Sequence, residues 1–339
     1  MSPPGQTDMF RPLLERAPVI VAYGAGLDST GMIAEMHARG EPIDQVLFAD
    51  TGSEKPETYE YLAYFKRWLN DHSIPFEVLS YQARDFKHFP PYKSLLENCL
   101  TNGTLPSIAF GFSSCSKKFK QSVQDNWTNS WEPATTAWAQ GLRVVKCIGY
   151  DCSPADLKRY AQREGYRSDK YEFRYPLREW GWTRDRIAES LRAKNILVPP
   201  KSACFFCTAS KTHEVDALPK NLLRLIVLME ARAEPRLTTT EGLWRKTVKG
   251  TRGGTAKPGS MTIYIREKGL LPSEQVDLIR ERAPQALIRW QAAQAEVPIE
   301  RRPALSEWLE FFEAQKGVFE GDGVIGPIRA VSQNSHDGS

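Results

Sequence analysis

The fold is decided by the segment Val19-Ile20-Val21-Ala22-Tyr23-Gly24-Ala25-Gly26-Leu27-Asp28-Ser29-Thr30. Its first residues form a short apolar run typical of a strand, and the run ends at a glycine. A helical pattern follows over residues 29–38, with Met32, Ile33 and Met36 on one face. The segment therefore predicts a strand, a tight loop and a helix, an arrangement in which backbone amides can bind phosphate.

The same alternation continues through the first two thirds of the chain. Strand patterns recur at 45–49, 76–79, 142–148 and 171–175, and helical patterns at 56–69 and 183–194. Strands that alternate with helices indicate crossover connections. We therefore expect an α/β fold with a doubly wound, mostly parallel five-stranded sheet. Beyond about residue 217 the pattern is helical only, which predicts a smaller C-terminal helical lobe.

These patterns also predict the domain organisation. We expect an N-terminal tail (1–17), a nucleotide-binding domain (18–216), a helical C-terminal lobe (217–329) and a disordered tail (330–339). Within the lobe, residues 238–260 are rich in Thr, Gly and Lys, which is typical of a mobile loop.

Composition excludes several classes of protein. With 41% hydrophobic residues among 339, the chain can bury a substantial core, and its net charge of +4 is too small for a polybasic protein. Six cysteines are too few for a disulfide scaffold, which indicates a reducing compartment. Because the sequence shows neither a long apolar run nor a signal-peptide pattern, we expect a cytoplasmic protein without a membrane partner.

Positive charge is concentrated in one part of the predicted domain. From Arg143 to Lys211 there are 15 Lys and Arg against 8 Asp and Glu. Such an excess is typical either of a solvated face or of a surface that binds anions such as nucleic acid, and both interpretations stay open. If nucleic acid binds, we expect Arg184, Arg186 and Lys194 to contact it.

The glycine-rich loop differs from two familiar phosphate loops. No lysine follows it, so the Walker A pattern fails, and Ser29 occupies the place of the third glycine in the dinucleotide fingerprint. The second strand ends in Asp50-Thr51-Gly52. Ligands of open parallel sheets bind beyond the carboxyl ends of the strands, so we expect Asp50 beside the first loop.

These motifs resemble the phosphoadenylylsulfate (PAPS) reductase-like branch of the adenine-nucleotide α-hydrolase superfamily, the PP-loop ATP pyrophosphatases. The first loop of that family reads Ser-Gly-Gly-x-Asp-Ser, and its second strand commonly ends in Asp-Thr-Gly with Pro-Glu-Thr-Tyr shortly after. Gly26, Asp28 and Ser29 match the loop, whereas Gly24 and Ala25 replace the family serine and a family glycine. The resemblance covers roughly residues 19–208 and includes further matches at 149–151 with Arg159, at 175–180 and at 202–208.

The resemblance implies that the chain binds ATP and Mg²⁺ and releases AMP and pyrophosphate. The nucleotide-binding residues it implies are Gly24, Gly26, Asp28, Ser29, Thr30, Asp50, Thr51 and Gly52. It also implies that Asp28 helps to place the metal, and that Lys118 and Arg159 stabilise the departing charge.

Three cysteines match the iron-sulfur members of the family. They are Cys115 and the pair Cys204 and Cys207, although the adjacent second cysteine of that family is Ser116 here. The resemblance implies a 4Fe-4S cluster that either has an open iron or takes Cys152 as its fourth ligand. A structural zinc site and a simple dithiol are the open alternatives.

Three functions stay open. The first is an ATP pyrophosphatase that activates an acceptor, expected to be nucleic acid, for sulfur transfer from a sulfur donor protein. The second is a PAPS or adenylylsulfate reductase, which we rank lower because those enzymes carry a late catalytic cysteine and no cysteine follows Cys207 here. The third is a non-catalytic nucleotide-binding module, which the departures at Gly24 and Ala25 keep open. A homodimer is one open oligomeric state.

Overall fold

A computed structural model describes residues 13–82, 92–250 and 256–293. Its strands are β1 (Val19–Tyr23), β2 (Gln45–Asp50), β3 (Phe76–Ser80), β4 (Val144–Ile148) and β5 (Tyr171–Arg174). They form one sheet in the order β3-β2-β1-β4-β5, and the pairs that β1 makes with β2 and β4 are parallel. The predicted doubly wound α/β fold is confirmed.

The helices account for most of the remaining described chain. They are α1 (Leu27–Ala38), α2 (Pro56–Asp71), α3 (Leu95–Asn102), α4 (Ser114–Ser116), α5 (Ser122–Ser130), α6 (Glu132–Ala139), α7 (Pro154–Ala161), α8 (Pro176–Glu179), α9 (Arg184–Ala193), α10 (Thr212–Asp216), α11 (Lys220–Ala233), α12 (Met261–Glu267) and α13 (Ser273–Ala293). Two 3₁₀ turns, Ser107–Phe110 and Glu234–Arg236, and a π-helical turn, Lys117–Gln121, complete them. Each described helix falls short of a bilayer span in length or in apolar character.

The sheet register aligns the ends of the central strands. Residues of β2 are buried along the whole strand, as expected for an apolar run in a sheet covered on both faces. Ala22 near the end of β1 pairs with Leu47 of β2 and with Ile148 of β4. The loop that follows β1 and the segment that follows β4 therefore leave the sheet at the same edge.

The chain divides into two compact units, each with its own core. The first, here called the sheet unit, comprises Met1–Ala49, Pro56–Leu79 and Ser122–Ser202. Its core joins the sheet to the helices α1, α2 and α9 through buried side chains that include Tyr23, Met36, Phe65 and Ile187. These aromatic and aliphatic residues exclude water from the inner strands and hold the loop after β1 on a rigid base.

The second unit, here called the helical unit, comprises Asp50–Lys55, Ser80–Gln121 and Ala203–Ser339. Its centre is the almost fully buried helix α11, which contacts α3, α12 and α13. The buried carboxylate of Glu230 on α11 accepts hydrogen bonds from the amides of Leu243, Met261 and Thr262 at 2.7, 3.0 and 2.8 Å. Two of these amides begin α12, where a carboxylate is favourable to the helix dipole.

The two units are interleaved along the sequence, because Asp50–Lys55 and Ser80–Gln121 belong with the C-terminal helices. A domain boundary at residue 216 stays a prediction. Residues 330–339 and most of the predicted N-terminal tail lie outside the described residues. Of the predicted loop 238–260, residues 251–255 also lie outside them, and the described remainder is anchored by contacts such as the one from Ser260 Oγ to Glu230, 2.6 Å long.

Candidate functional site

The loop between β1 and α1 is shaped by its own serine. Ser29 Oγ accepts a hydrogen bond from the amide of Gly24 at 3.1 Å and donates one to the carbonyl of Gly26 at 3.3 Å. Gly26 is the N-cap of α1 and supplies no side-chain oxygen to the first helical amides. Because amides of a first helical turn lack intrahelical acceptors, this end of α1 is suited to an anion.

Two positions in the loop have little room. Ala25 is fully buried with a φ of 53°, a left-handed conformation that non-glycine residues adopt uncommonly. The family glycine that Ala25 replaces would adopt this conformation without strain. At Gly26, a Cβ would lie 2.8 Å from Ser202 Oγ, so the close approach of these two segments requires glycine.

Thr30 differs from the expectation that it contacts the nucleotide. Its side chain is fully buried, and its hydroxyl donates to Tyr23 Oη at 3.4 Å. A hydroxyl that is held in the core of the sheet unit is not presented to a ligand at the loop. A phosphate contact by Thr30 has no support in this geometry.

The segment after β4 lies directly against the loop. A Cβ on Gly149 would lie 3.0 Å from Ser29 N and 3.1 Å from the carbonyl carbon of Asp28, so glycine is required here too. Two residues later Asp151 is fully buried, and its Oδ1 accepts from the amide and hydroxyl of Ser153 at 3.0 and 2.5 Å. These contacts fix the orientation of the Asp151 carboxylate.

Asp28 and Asp151 each have one buried carboxylate oxygen without a hydrogen-bond partner in the described chain. Within the described part of the chain, Asp28 Oδ1 and Asp151 Oδ2 make no hydrogen bond. Burial raises the pKa of Asp28 to about 6, Arg184 opposes the rise, and the charges of Asp151 and Asp156 add to it. Unpaired carboxylate oxygens are costly to bury unless a cation or a proton compensates them.

Three arginines surround these carboxylates. Arg184 Nη1 lies 3.4 Å from Asp28 Oδ2, and Arg178 Nη1 donates to the carbonyl of Asp151 at 3.3 Å. Arg159, the predicted catalytic residue, is bound to Asp156 at 2.9 Å, and its side chain is 66% exposed. The sequence assigns no role to Arg178, although Arg178 belongs to the family-like segment at 175–180, and it predicts a nucleic-acid contact for Arg184 rather than a contact with Asp28.

The other two expected nucleic-acid contacts are also ion-paired. Arg186 lies 3.4 Å from Glu189, and Lys194 lies 2.7 Å from Glu35. The three basic residues chosen from the charge count therefore neutralise carboxylates of their own unit. The spacing of Arg186 and Glu189 on one helix is visible in the sequence, whereas only the fold shows the pair of Lys194 with Glu35.

In the helical unit, the Cys-x-x-Cys segment pairs with the segment that follows β2. The amide of Lys55 donates to the carbonyl of Ala203 at 3.1 Å, and the amide of Phe205 donates to the carbonyl of Ser53 at 3.0 Å. This pairing places Thr51 Oγ1 at 3.3 Å from Cys204 Sγ. Thr51, predicted to bind nucleotide, thus contacts the predicted cluster ligand.

A charged pair lies beside this cysteine. Lys120 Nζ is 3.1 Å from Glu54 Oε1, whose side chain is almost fully buried. Burial and the Glu54 carboxylate raise the pKa of Cys204 well above its ordinary value, while Lys120 and the Thr51 hydroxyl act in the opposite direction. The Cys204 thiol is therefore protonated at neutral pH when no metal is bound.

Lys118 does not share this environment. Its ammonium lies 4.5 Å from the ring centre of Tyr92 and 4.9 Å from that of Tyr81, and it donates to Tyr92 Oη at 2.7 Å. Such cation–π contacts favour a charged lysine in a fixed position. The π-helical turn Lys117–Gln121 carries both Lys118 and Lys120, and turns of this kind are frequent at functional sites. A catalytic role for Lys118 stays a prediction.

The predicted metal ligands do not form a ligand set. Across residues 13–82, 92–250 and 256–293, no three His, Cys, Asp or Glu side chains are arranged to hold a metal ion. Cys115, Cys204 and Cys207 belong to the helical unit and Cys152 to the sheet unit, and none of the four forms a disulfide within the described chain. As arranged, these residues do not fit a 4Fe-4S cluster or a zinc ion. Cys147 is fully buried in the core of the sheet unit, as its strand pattern indicates.

Comparisons with known proteins give distant structural similarity. No family model matches the chain, and no curated protein matches it either. Among solved structures, it is similar to a PAPS reductase from Candida auris in its phosphate complex, with a TM-score of 0.36 and 12% identity, over 55% of this chain and 76% of that chain. It is also similar to the U34-tRNA thiolase NcsA from Methanococcus maripaludis with its [4Fe-4S] cluster, with a TM-score of 0.36 and 13% identity, over 76% of this chain and 83% of that chain. At identities this low, the substrates and cofactors of those two proteins cannot be assigned to this chain.

Proposed function

We propose that this chain is an enzyme that cleaves ATP between its α and β phosphates, at the loop between β1 and α1. The observation that carries the proposal is the pair of buried carboxylate oxygens, Asp28 Oδ1 and Asp151 Oδ2, that lack a partner in the described chain where β1 and β4 leave the sheet. Beside them the first turn of α1 offers amides to an anion. An anion and a cation would compensate both features together, and Mg²⁺ with ATP supplies both.

The acidic residues fit Mg²⁺. This ion is commonly bound through one or two carboxylates, with waters and substrate phosphates completing its coordination. Asp28 and Asp151 would hold it, and Ser153 keeps Asp151 oriented through its two hydrogen bonds. When bound, the ion would neutralise negative charge on the phosphates.

Two further groups of the sheet unit, the first-turn amides of α1 and the side chain of Arg159, bind and orient the nucleotide. The α1 amides and the guanidinium of Arg159 stabilise negative charge on the departing pyrophosphate. An acceptor oxygen attacks the α phosphorus, the bond from that phosphorus to the bridging oxygen breaks, and pyrophosphate leaves with the electron pair. The acceptor is then adenylated, and a sulfur nucleophile displaces AMP from it.

For the acceptor we propose nucleic acid, and for the sulfur source a donor protein. The supporting observation for nucleic acid is the excess of basic residues between Arg143 and Lys211. No step is assigned to an iron-sulfur cluster, since the described cysteines do not form a ligand set. Nucleotide contacts by Asp50, Thr51 and Gly52 stay predictions, as does the role of Arg159.

The products of ATP turnover test the proposal. Wild-type protein with MgATP, RNA or DNA and sulfide as the sulfur nucleophile should release AMP and pyrophosphate, and Asp28→Asn should lower the rate by about 100-fold or more. Asp185→Asn, which removes an exposed carboxylate on α9, is the matched control and should stay within about twofold of wild type. Release of ADP and orthophosphate would refute the assignment, because those products require attack at the γ phosphorus. Reduction of adenylylsulfate to sulfite would favour the reductase.

A further inference from the structure

A groove of about 620 Å³ runs along β5 in the sheet unit. Four arginines, three glutamates and five aromatic residues line it. Its volume lies in the range of ligand-binding cavities. The ATP-cleaving chemistry proposed above uses none of these side chains, and Arg178 alone of them is described in contact with Asp151, so the groove is available to another ligand.

The charges of the groove favour an anion. Two of its glutamates are occupied, because Glu172 pairs with Arg143 at 3.1 Å and Glu179 pairs with Arg174 at 2.5 Å. Among the residues that the structure describes, Arg163 and Arg167 form no ion pair, and Arg167 is exposed. Two guanidinium groups are therefore available to bind phosphates. Glu164 is the remaining negative charge that lines the groove.

The aromatic residues of the groove favour flat rings. Tyr166 is 57% exposed, and its ring centre lies 5.7 Å from that of Phe173. The guanidinium of Arg178 lies 4.1 Å from the ring centre of Tyr160, which in turn meets Tyr175 edge to face at 5.0 Å. Exposed aromatic faces interleaved with arginine are the surfaces on which unpaired nucleobases stack.

One arginine connects the groove to the proposed catalytic residues. Arg178 lines the groove and donates through Nη1 to the backbone carbonyl of Asp151 at 3.3 Å. The side chain of Arg178 thus contacts the residue proposed to hold Mg²⁺.

We propose that this groove binds a single-stranded nucleic-acid segment, with Arg163 and Arg167 on its phosphates and Tyr166 stacked on a base. In a duplex the bases stack on one another, so the faces of the nucleobases cannot stack on the ring of Tyr166. This inference rests on the proposed function in one respect, namely that the bound segment is the acceptor. Charge alone did not locate the site, because Arg184, Arg186 and Lys194 are ion-paired.

Fluorescence anisotropy tests the groove with labelled oligo-dT and oligo-U of about twelve nucleotides and with a duplex of equal length. Wild type should bind the single strands more tightly, with a steep salt dependence between about 50 and 200 mM. Arg163→Glu with Arg167→Glu should weaken binding at least about tenfold and make the log–log salt slope shallower by about 1.4, which is about 0.7 for each phosphate that is no longer neutralised. Tyr166→Ala should weaken binding about fivefold or more and leave the slope unchanged, since stacking releases few counterions.

The matched control is Lys66→Glu with Arg67→Glu, which makes the same charge change at two exposed positions of α2. This control should bind within about threefold of wild type. Equal losses in both double variants, tighter binding of the duplex, or no binding at low salt would overturn the groove. AMP formation by wild type is measured separately, so binding without AMP overturns the proposed function and AMP without binding overturns the groove.

Discussion

In the sheet unit, Asp28 and Asp151 each retain a buried carboxylate oxygen without a hydrogen-bond partner in the described chain. In the helical unit, the side chains of Lys55 and Glu214 are also buried, and they lie 2.7 Å apart as an ion pair. Both regions bear the desolvation cost of buried charge. A buried charge with its counter-charge, as in the completed pair of Lys55 and Glu214, stabilises the fold. Buried carboxylates without a partner, as in the incomplete pair of Asp28 and Asp151, are where we expect a ligand to bind.

The largest change to this comparison would come from a metal bound in the helical unit. Because Cys115, Cys204 and Cys207 do not form a ligand set in the described part of the chain, we expect protein reconstituted anaerobically with iron and sulfide to retain neither iron nor zinc in stoichiometric amount. Metal and sulfide analysis measures this. A cluster that is lost in Cys204→Ser and kept in Cys147→Ser, a substitution in the core of the sheet unit, would contradict the prediction.

Next in size is the effect of breaking the completed pair. Lys55→Met removes the cation that faces the buried Glu214 carboxylate, since the two side chains are only 3% and 9% exposed. We expect the free energy of unfolding to fall by about 3–5 kcal/mol. Urea denaturation measures the loss, and Glu214→Gln added to Lys55→Met should recover part of it. Lys66→Met on the exposed face of α2 should change little, and an equal loss there would show that the ion pair contributes nothing specific.

In the incomplete pair, removing the charge of Asp28 should raise the free energy of unfolding of the ligand-free protein. The folded protein holds the Asp28 proton up to about pH 6, whereas the ordinary carboxyl loses it near 3.8. Folding therefore binds a proton between these values, so the free energy of unfolding falls as pH rises from about 4 to 6. Asp28→Asn removes the charge, and we expect it to stabilise the ligand-free protein at pH 8 by about 1–3 kcal/mol.

Urea denaturation of Asp28→Asn at pH 5 and pH 8 measures this gain. The gain of the variant over wild type should be larger at pH 8 than at pH 5, because the free energy of unfolding of wild type falls between about pH 4 and pH 6. Asp185→Asn, an exposed carboxylate of the same unit, should show no such pH dependence. A variant that is destabilised at both pH values would mean that the Asp28 carboxylate is satisfied in the folded protein and awaits no cation.

The sequence predicts what short segments determine. Strand β1, the loop after it and helix α1 follow from apolar periodicity and glycine placement within residues 19–38, and the structure confirms them. The contact of Thr51 with Cys204 joins residues 153 positions apart, and that of Arg184 with Asp28 joins residues 156 apart. No local pattern encodes such contacts, so the sequence indicates Thr51 and Cys204 as separate candidate site residues and does not pair them.

Residue type alone does not predict a role where the surroundings decide it. Thr30 and Lys118 have chemically suitable groups, yet one hydroxyl is bonded inside the core and one ammonium is enclosed by tyrosine rings. Lys120, two residues from Lys118, instead faces the Glu54 carboxylate. The π-helical turn changes which residues share a face, and a regular helical periodicity cannot reveal it.

The backbone conformation of Ala25 restricts which residues this position can accept. Its φ of 53° disfavours every side chain relative to glycine, and because Ala25 is fully buried a larger side chain would have to displace its neighbours. Substitution is therefore open in one direction only, back to glycine. A lineage that carries alanine here has kept a strained residue at the entrance to α1, and any drift toward larger residues would require the loop itself to be rebuilt.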